Sequence, residues 1–233
     1  MPFSNLKYAE FEMKCDNKVW VIIPALNEEK HIGTVISKTK HFIKNVVVVN
    51  DGSKDRTAES SEKAGAVVIS HAVNLGKGAA LRTGCSFAMR KGAQKVVLLD
   101  ADSQHEPEEI PKFLKLLERS DIVFSYRTRR ENMPSVLKFG NSLISYMIFL
   151  LYGIRIKDTQ CGYRAFNSRI YKKIRWKSSD YSMESEMVAN VGKKKIKYSQ
   201  LPIRTIYADN YKGTTVLDGI KIVFDLLWWR IFG

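Results

Sequence analysis

Val96-Val97-Leu98-Leu99-Asp100-Ala101-Asp102-Ser103-Gln104-His105 is the stretch that decides the fold. Four consecutive aliphatic residues cannot alternate between core and solvent, so the run suits a strand buried on both faces, as in a parallel sheet. Asp100 and Asp102 come just past its carboxyl end, the edge at which open α/β sheets bind ligands. In an extended segment, side chains two residues apart share a face. On that reading Asp100, Asp102 and the amide oxygen of Gln104 converge on a hard cation, Mg²⁺ or Mn²⁺, which prefers oxygen ligands. The same spacing also suits a helix-capping turn, because Pro107 starts a helix soon after.

Outward from this strand the pattern repeats. Lys18 to Ile23 reads as a strand closed by Pro24, and Asn27 as the cap of a helix to Lys40, with Glu28 and Glu29 in its first turn. Val46 to Val49 is a second buried strand, followed by a helix from Ser53 or Asp55 to Ala64 that Gly65 stops. Ala66 to Ser70 is a third strand, and Gly76-Lys77-Gly78 opens a helix to Lys91. A helix from Pro107 to Glu118 and a strand from Asp121 to Ser125 complete the series. Such alternation with short links predicts an α/β fold, a mostly parallel, Rossmann-like sheet with helices on both faces. After Ser125 come a basic loop (Arg127, Arg129, Arg130), an apolar helix from Pro134 to Tyr152 and a polar loop from Ile156 to Arg164. Short helices near 168–175 and 183–192, a strand from Ile196 to Ile203 and a helix from Val216 to Ile231 follow.

Composition narrows the class. With 45% hydrophobic and 27% charged residues the chain is globular rather than disordered, and its 233 residues suit one large domain. Cys15, Cys85 and Cys161 are too scattered for a disulfide framework or a zinc site. Met1 to Asp16 lacks the pattern of a signal peptide, and a reducing cytoplasm fits best. The net charge of +14 is uneven: residues 1–118 carry +2 and residues 119–233 carry +12. The basic half should meet something anionic, such as a phosphorylated substrate or a membrane surface. No nucleic-acid motif or aromatic-interleaved basic patch accompanies it.

Two segments are unusually apolar. Leu143 to Ile154 is shorter than the roughly 20 residues that span a bilayer. Within Ile220 to Phe232, the residues Ile220, Val223, Phe224, Leu227 and Ile231 follow helical spacing, with Trp228 and Trp229 alongside. Either segment packs on the sheet or rests on a bilayer without crossing it.

Other strand endings carry chemistry. Asp51, in Asn50-Asp51-Gly52-Ser53, is placed to accept hydrogen bonds from a ribose or base, or to cap a turn. Asn74-Leu75-Gly76-Lys77-Gly78 resembles a phosphate-handling loop with a helix N-terminus behind it, without the spacing of a Walker A motif. Glu184 and Glu186 read as helix-surface carboxylates. His31, His41, His71 and His105 show no ligand spacing.

Together Pro24-Ala25-Leu26-Asn27-Glu28-Glu29, Val49-Asn50-Asp51-Gly52-Ser53, Asn74-Leu75-Gly76-Lys77-Gly78 and Asp100-Ala101-Asp102-Ser103-Gln104-His105 resemble family 2 glycosyltransferases of the GT-A fold. The likeness covers about residues 18–205 and leans toward the dolichyl-phosphate and polyprenyl-phosphate mannose and glucose synthases. Asp158-Thr159-Gln160-Cys161-Gly162-Tyr163-Arg164-Ala165-Phe166 is similar to the acceptor-side loop of that subgroup.

The resemblance implies roles. Pro24, Ala25, Asn27, Glu28, Asp51, Gly76, Lys77, Asp100 and Ala101 would hold the nucleotide. Asp100, Asp102 and Gln104 would position Mg²⁺ or Mn²⁺, with Asp102 the most direct ligand. Arg127 would hold an acceptor phosphate, with Lys138 and Arg204 as secondary candidates whose flanking sequence matches the family less closely. Residues 18–125 would form the nucleotide-sugar half of a single domain, and 126–233 the acceptor half with interfacial helices. The implied activity is inverting transfer of a hexose from GDP-mannose or a UDP-sugar to dolichyl or polyprenyl phosphate, at the cytoplasmic membrane face. The alternative acceptor is a saccharide or lipid hydroxyl, which needs a base, and Glu184 and Glu186 lie where other family members keep one. A phosphate monoester, with a second pKa of about 6, needs none.

Overall fold

The computed structural model describes residues 18–128, 135–204 and 216–232. In chain order the strands are β1 (Val19–Ala25), β2 (Asn45–Asn50), β3 (Val67–Ser70), β4 (Lys95–Leu98), β5 (Ile122–Arg127), β6 (Arg164–Asn167) and β7 (Tyr198–Ile203). The helices are α1 (Ile32–Lys40), α2 (Thr57–Lys63), α3 (Lys77–Arg90), α4 (Ile110–Leu116), α5 (Ser135–Tyr152), α6 (Tyr171–Ile174), α7 (Ser182–Lys193) and α8 (Val216–Phe232).

The strands form one sheet of order β3-β2-β1-β4-β6-β5-β7. The valine run of β2 and the aliphatic residues of β1 and β4 are buried on both faces, as continuous apolar strands demand. One core layer, with Ile22, Leu98 and Phe166, lies under α3, α5, α7 and α8; the other, with Val21, Val97 and Ala165, lies under α1 and α4. All pairings are parallel except those of β6, which runs antiparallel to both β4 and β5. β6 is not predicted by the sequence pattern. Its sequence, Arg-Ala-Phe-Asn, contains no apolar run and reads as the tail of a polar loop, although Ala165 and Phe166 are fully buried.

Two helix starts also differ. Asn27 adopts φ +54° and does not cap α1, which begins at Ile32. Its side-chain oxygen instead accepts the Lys54 N–H, and its own N–H donates to Ser53 Oγ. Asp55, not Ser53, leads into α2, accepting from the Thr57 N–H. These bonds, with Glu28 N–H donating to Thr57 Oγ1, lace the β1–α1 turn to the β2–α2 turn and make one rigid wall at the carboxyl edge.

The described helices include none long and apolar enough to cross a membrane. α5 and α8 pack together, with Ile144, Ile148 and Tyr152 facing Ile222 and Leu226 in the core, and the Tyr152 hydroxyl donates to the Leu226 carbonyl. The stripe expected to be the apolar face of α8 is mostly its outer face. Ile220, Phe224, Leu227 and Ile231 are exposed, as is Trp228, while the core contact uses Ile222 and Leu226. α8 is thus apolar on two sides. Leu143, Tyr146 and Leu150 extend the exposed apolar surface on α5.

Candidate active site

The carboxyl ends of β1, β2 and β4 meet at one edge of the sheet, and the candidate residues gather there. Lys77 Nζ, from the first turn of α3, lies 2.8 Å from Asp100 Oδ1 and 3.0 Å from Glu184 Oε1. Burial alone would push this ammonium down; the two carboxylates outweigh it and hold Lys77 above the usual lysine range. Burial would raise Asp100, but the Lys77 charge outweighs it and keeps the carboxyl below its ordinary value. Asp102 goes the other way, pushed up by burial and then by the negative charge of Asp100. Burial pushes the His105 imidazole below its usual value against the pull of both aspartates. Glu184 is 2% exposed, and its Oε2 has no hydrogen-bond partner. The glycine at 162 leaves the space this cluster needs: a Cβ there would sit 2.5 Å from Asp100 Oδ2 and 2.9 Å from Lys77 Nζ.

The extended-strand argument for Gln104 does not hold. β4 ends at Leu98, Ser103 adopts φ +60°, and Asp102 Oδ1 accepts the Gln104 main-chain N–H at 3.0 Å. The alternation of side chains is lost, and Gln104 meets the cluster through its backbone. Asp100, Asp102 and Glu184 still outnumber the two cations set against them, Lys77 and the buried Arg164. Among the described residues no three His, Cys, Asp or Glu side chains form a ready metal cage. The donor set instead fits a small divalent cation that brings its own phosphate and water ligands to one or two carboxylates.

Asp51 is buried and already engaged. Its Oδ1 accepts from the Leu75 N–H and pairs with His71 Nδ1 at 2.6 Å, and its Oδ2 accepts the Gly76 N–H at 2.8 Å. His71 Nε2 in turn meets Thr83 Oγ1. Asp51 therefore shapes the 74–76 turn that aims Lys77. The helix start read as a phosphate cradle is closed: the Gly78 and Ala79 N–H groups both donate to the Ser179 carbonyl. Gly76, at φ +93°, and Lys77 contribute a turn and an ammonium rather than a row of free amides.

Arg127 is committed elsewhere. Its Nε and Nη2 form a bidentate pair with Asp158 at 2.7 and 2.9 Å, and the Asp158 side chain is fully buried. The guanidinium expected on an acceptor phosphate anchors the 158–162 loop to the end of β5. Arg204 is exposed beside it, just past β7, whose Ile203 pairs with Arg127. Arg129, Arg130 and the side chain of Lys138 lie outside the described residues. Neither Glu184 nor Glu186 is a surface carboxylate. Both are buried, and the oxygens of Glu186 accept from the Lys177 and Ser178 N–H groups and the Ser178 hydroxyl. Sequence reasoning missed Arg164, which is fully buried and donates to the carbonyls of Thr159, Cys161 and Glu184. Its signal was its place in the 158–166 segment.

Comparison with known proteins gives this arrangement a family. Residues 20–180 match the model of glycosyl transferase family 2, and the chain belongs to that family. It is a glycosyltransferase. It is 37% identical over 227 residues to an uncharacterized protein of Methanocaldococcus jannaschii, covering 93% of each chain. It is 33% identical to the UDP-N-acetylglucosamine–dolichyl-phosphate N-acetylglucosaminyltransferase of Methanococcus voltae, covering 91% of this chain and 96% of that one. The crystal structure of glucosyl-3-phosphoglycerate synthase from Mycobacterium tuberculosis with Mn²⁺, uridine diphosphate and phosphoglyceric acid superposes with a TM-score of 0.72 at 21% identity, over 94% of this chain and 80% of that one. That likeness concerns the fold, a GT-A-like α/β sheet.

Proposed function

We propose that this glycosyltransferase moves a hexose from a nucleotide sugar to a polyprenyl or dolichyl phosphate at a membrane surface. The observation that carries the reading is the unbalanced acidic cluster at the sheet edge, together with the exposed apolar faces of α5 and α8. Asp100 and Asp102 would hold Mg²⁺ or Mn²⁺, which when bound offsets the charge developing on the departing diphosphate. The wall that Asn27 and Glu28 form with Ser53, Lys54 and Thr57 orients the nucleoside, Asp51 holds the turn behind it, and Lys77 places positive charge beside the diphosphate. Glu184 keeps Lys77 and Asp100 in register from the far side. Arg204 is the exposed cation that fits an acceptor phosphate. The outer stripe of α8, with Phe224, Trp228 and Ile231 exposed and Arg230 beside them, suits a bilayer interface. The relative from Methanococcus voltae, named for a dolichyl-phosphate acceptor, supports the same reading.

The test is transfer of labelled sugar from a panel of UDP- and GDP-sugars into vesicles containing polyprenyl phosphate. Label should enter the lipid only with Mg²⁺ or Mn²⁺ and lipid phosphate both present. A full panel without lipid-soluble label defeats the proposal. A second reading, transfer to a hydroxyl with Glu184 as base, draws on the unpartnered Oε2 of that residue. Glu184→Gln separates them: turnover falls modestly with a phosphate acceptor, because Lys77 keeps its pairing with Asp100, and collapses with a hydroxyl one.

A further inference from the structure

A groove of about 370 Å³ runs along one face of α3 with Leu75 at one end, and none of its lining residues belongs to the acidic cluster. Ala79, Arg82, Thr83, Ser86 and Arg90 line it at the spacing of one helix face, and Arg175 closes it from the segment after α6. No acidic residue lines it. The Arg82 guanidinium is fixed in place, with Nη1 donating to the carbonyls of Lys177 and Ser178. The side chains of Arg90 and Arg175 have no carboxylate partner among the described residues. Arg82, Arg90 and Arg175 thus place three positive charges along one groove with no acidic residue in its lining. The arrangement makes sense with an anion between them.

We propose that this groove is a binding site for a phosphate ester, distinct from the donor and acceptor positions at the sheet edge. Guanidinium forks match phosphate oxygens in bidentate fashion, and Ser86 lies on the same wall of the groove. The volume exceeds that of a bare phosphate ion and leaves room for a glycerol-sized or sugar-sized ester group. Two sources present this chemistry: a soluble phosphorylated metabolite and a phospholipid headgroup. The groove also touches the active-site wall, because the Thr83 hydroxyl meets His71, which meets Asp51.

The full chain is titrated with inorganic phosphate and with glycerol 3-phosphate by calorimetry, in buffer containing EDTA so that no divalent cation bridges phosphate to Asp100 or Asp102. A parallel arm sediments the protein with phosphatidylcholine vesicles with and without phosphatidic acid. Arg90→Ala combined with Arg175→Ala should weaken the anion at least about tenfold, the scale of one lost charged hydrogen bond. Asp102→Asn should leave that affinity unchanged. Ester binding lost in the double variant, with vesicle binding unaffected, assigns a soluble ligand. Loss of the phosphatidic-acid-dependent part of vesicle binding assigns a headgroup. No binding in either arm, or a double variant that binds as tightly as the parent, overturns the proposal. Circular dichroism of the double variant, with both changes at solvent-facing positions, checks that the fold is retained.

Discussion

Two sets of buried charges stand at the same edge of the sheet, and they are built differently. Arg127 and Asp158 form a closed pair, two donors on two oxygens, with the carboxylate wholly out of solvent. Lys77 is shared between Asp100 and Glu184, one oxygen of Glu184 has no partner, and Asp102 sits nearby with its pKa raised. A closed pair holds a loop in place. An open set leaves negative charge to be matched, the property on which the proposed cation site rests. Neither set could be told from the other by residue type alone.

The contrast would break most visibly at Asp102. Asp102→Asn should lower turnover by about 10²–10³, the scale for losing one charge-stabilising group. The ligand-free protein should nonetheless melt at the same temperature or higher. Its folded-state pKa lies above the ordinary 3.8, so ionising Asp102 costs stability as pH rises from that value, and asparagine escapes the cost. Asp100 has the opposite sign: its lowered pKa contributes stability that is lost as pH falls below the ordinary range. A melting curve of the Asp102→Asn variant clearly below the parent at neutral pH would contradict the open-set reading.

At the closed pair the expected loss is in stability. Asp158→Asn should cost about 3–5 kcal/mol by chemical denaturation, because Arg127 is left without its counter-charge. Replacing both partners, Arg127→Met with Asp158→Leu, should recover much of that. Glu186→Gln is a smaller test. It weakens hydrogen bonds to the 177–178 backbone and should cost about 1–2 kcal/mol, with turnover of the folded enzyme unchanged. Smallest for the fold is Phe224→Glu with Trp228→Glu on the outer stripe of α8. Exposed substitutions shift stability by about 0.5 kcal/mol or less each, yet sedimentation with anionic vesicles should fall sharply.

Much of this was legible in the sequence. Aliphatic runs at β1, β2 and β4 identify themselves because no other element buries four such residues in succession, and the acidic and glycine-lysine endings mark the working edge. What stayed hidden depends on contacts between distant segments. β6 is a strand only because β4 and β5 leave a gap for it. Asn27 fails to cap α1 because Ser53 and Lys54, from another turn, take its hydrogen bonds. Arg127 looks like a free cation until the fold brings Asp158 beneath it. The outer stripe of α8 has correct helical spacing, but a helix apolar on two sides does not announce which side faces the core.

The placement of β6 also governs how the chain is made. β4 can pair with β1 as soon as it emerges, but its other edge and one edge of β5 await residues 164–167. The start of α3 awaits the Ser179 carbonyl. At a synthesis rate of about 5–20 residues per second, the far side of β4 stays open for roughly 3–13 s after its own synthesis. An apolar strand edge left open that long is a template for pairing with another nascent chain. The first 125 residues are therefore never complete on their own; residues 164–179 must be translated before their part of the sheet can close.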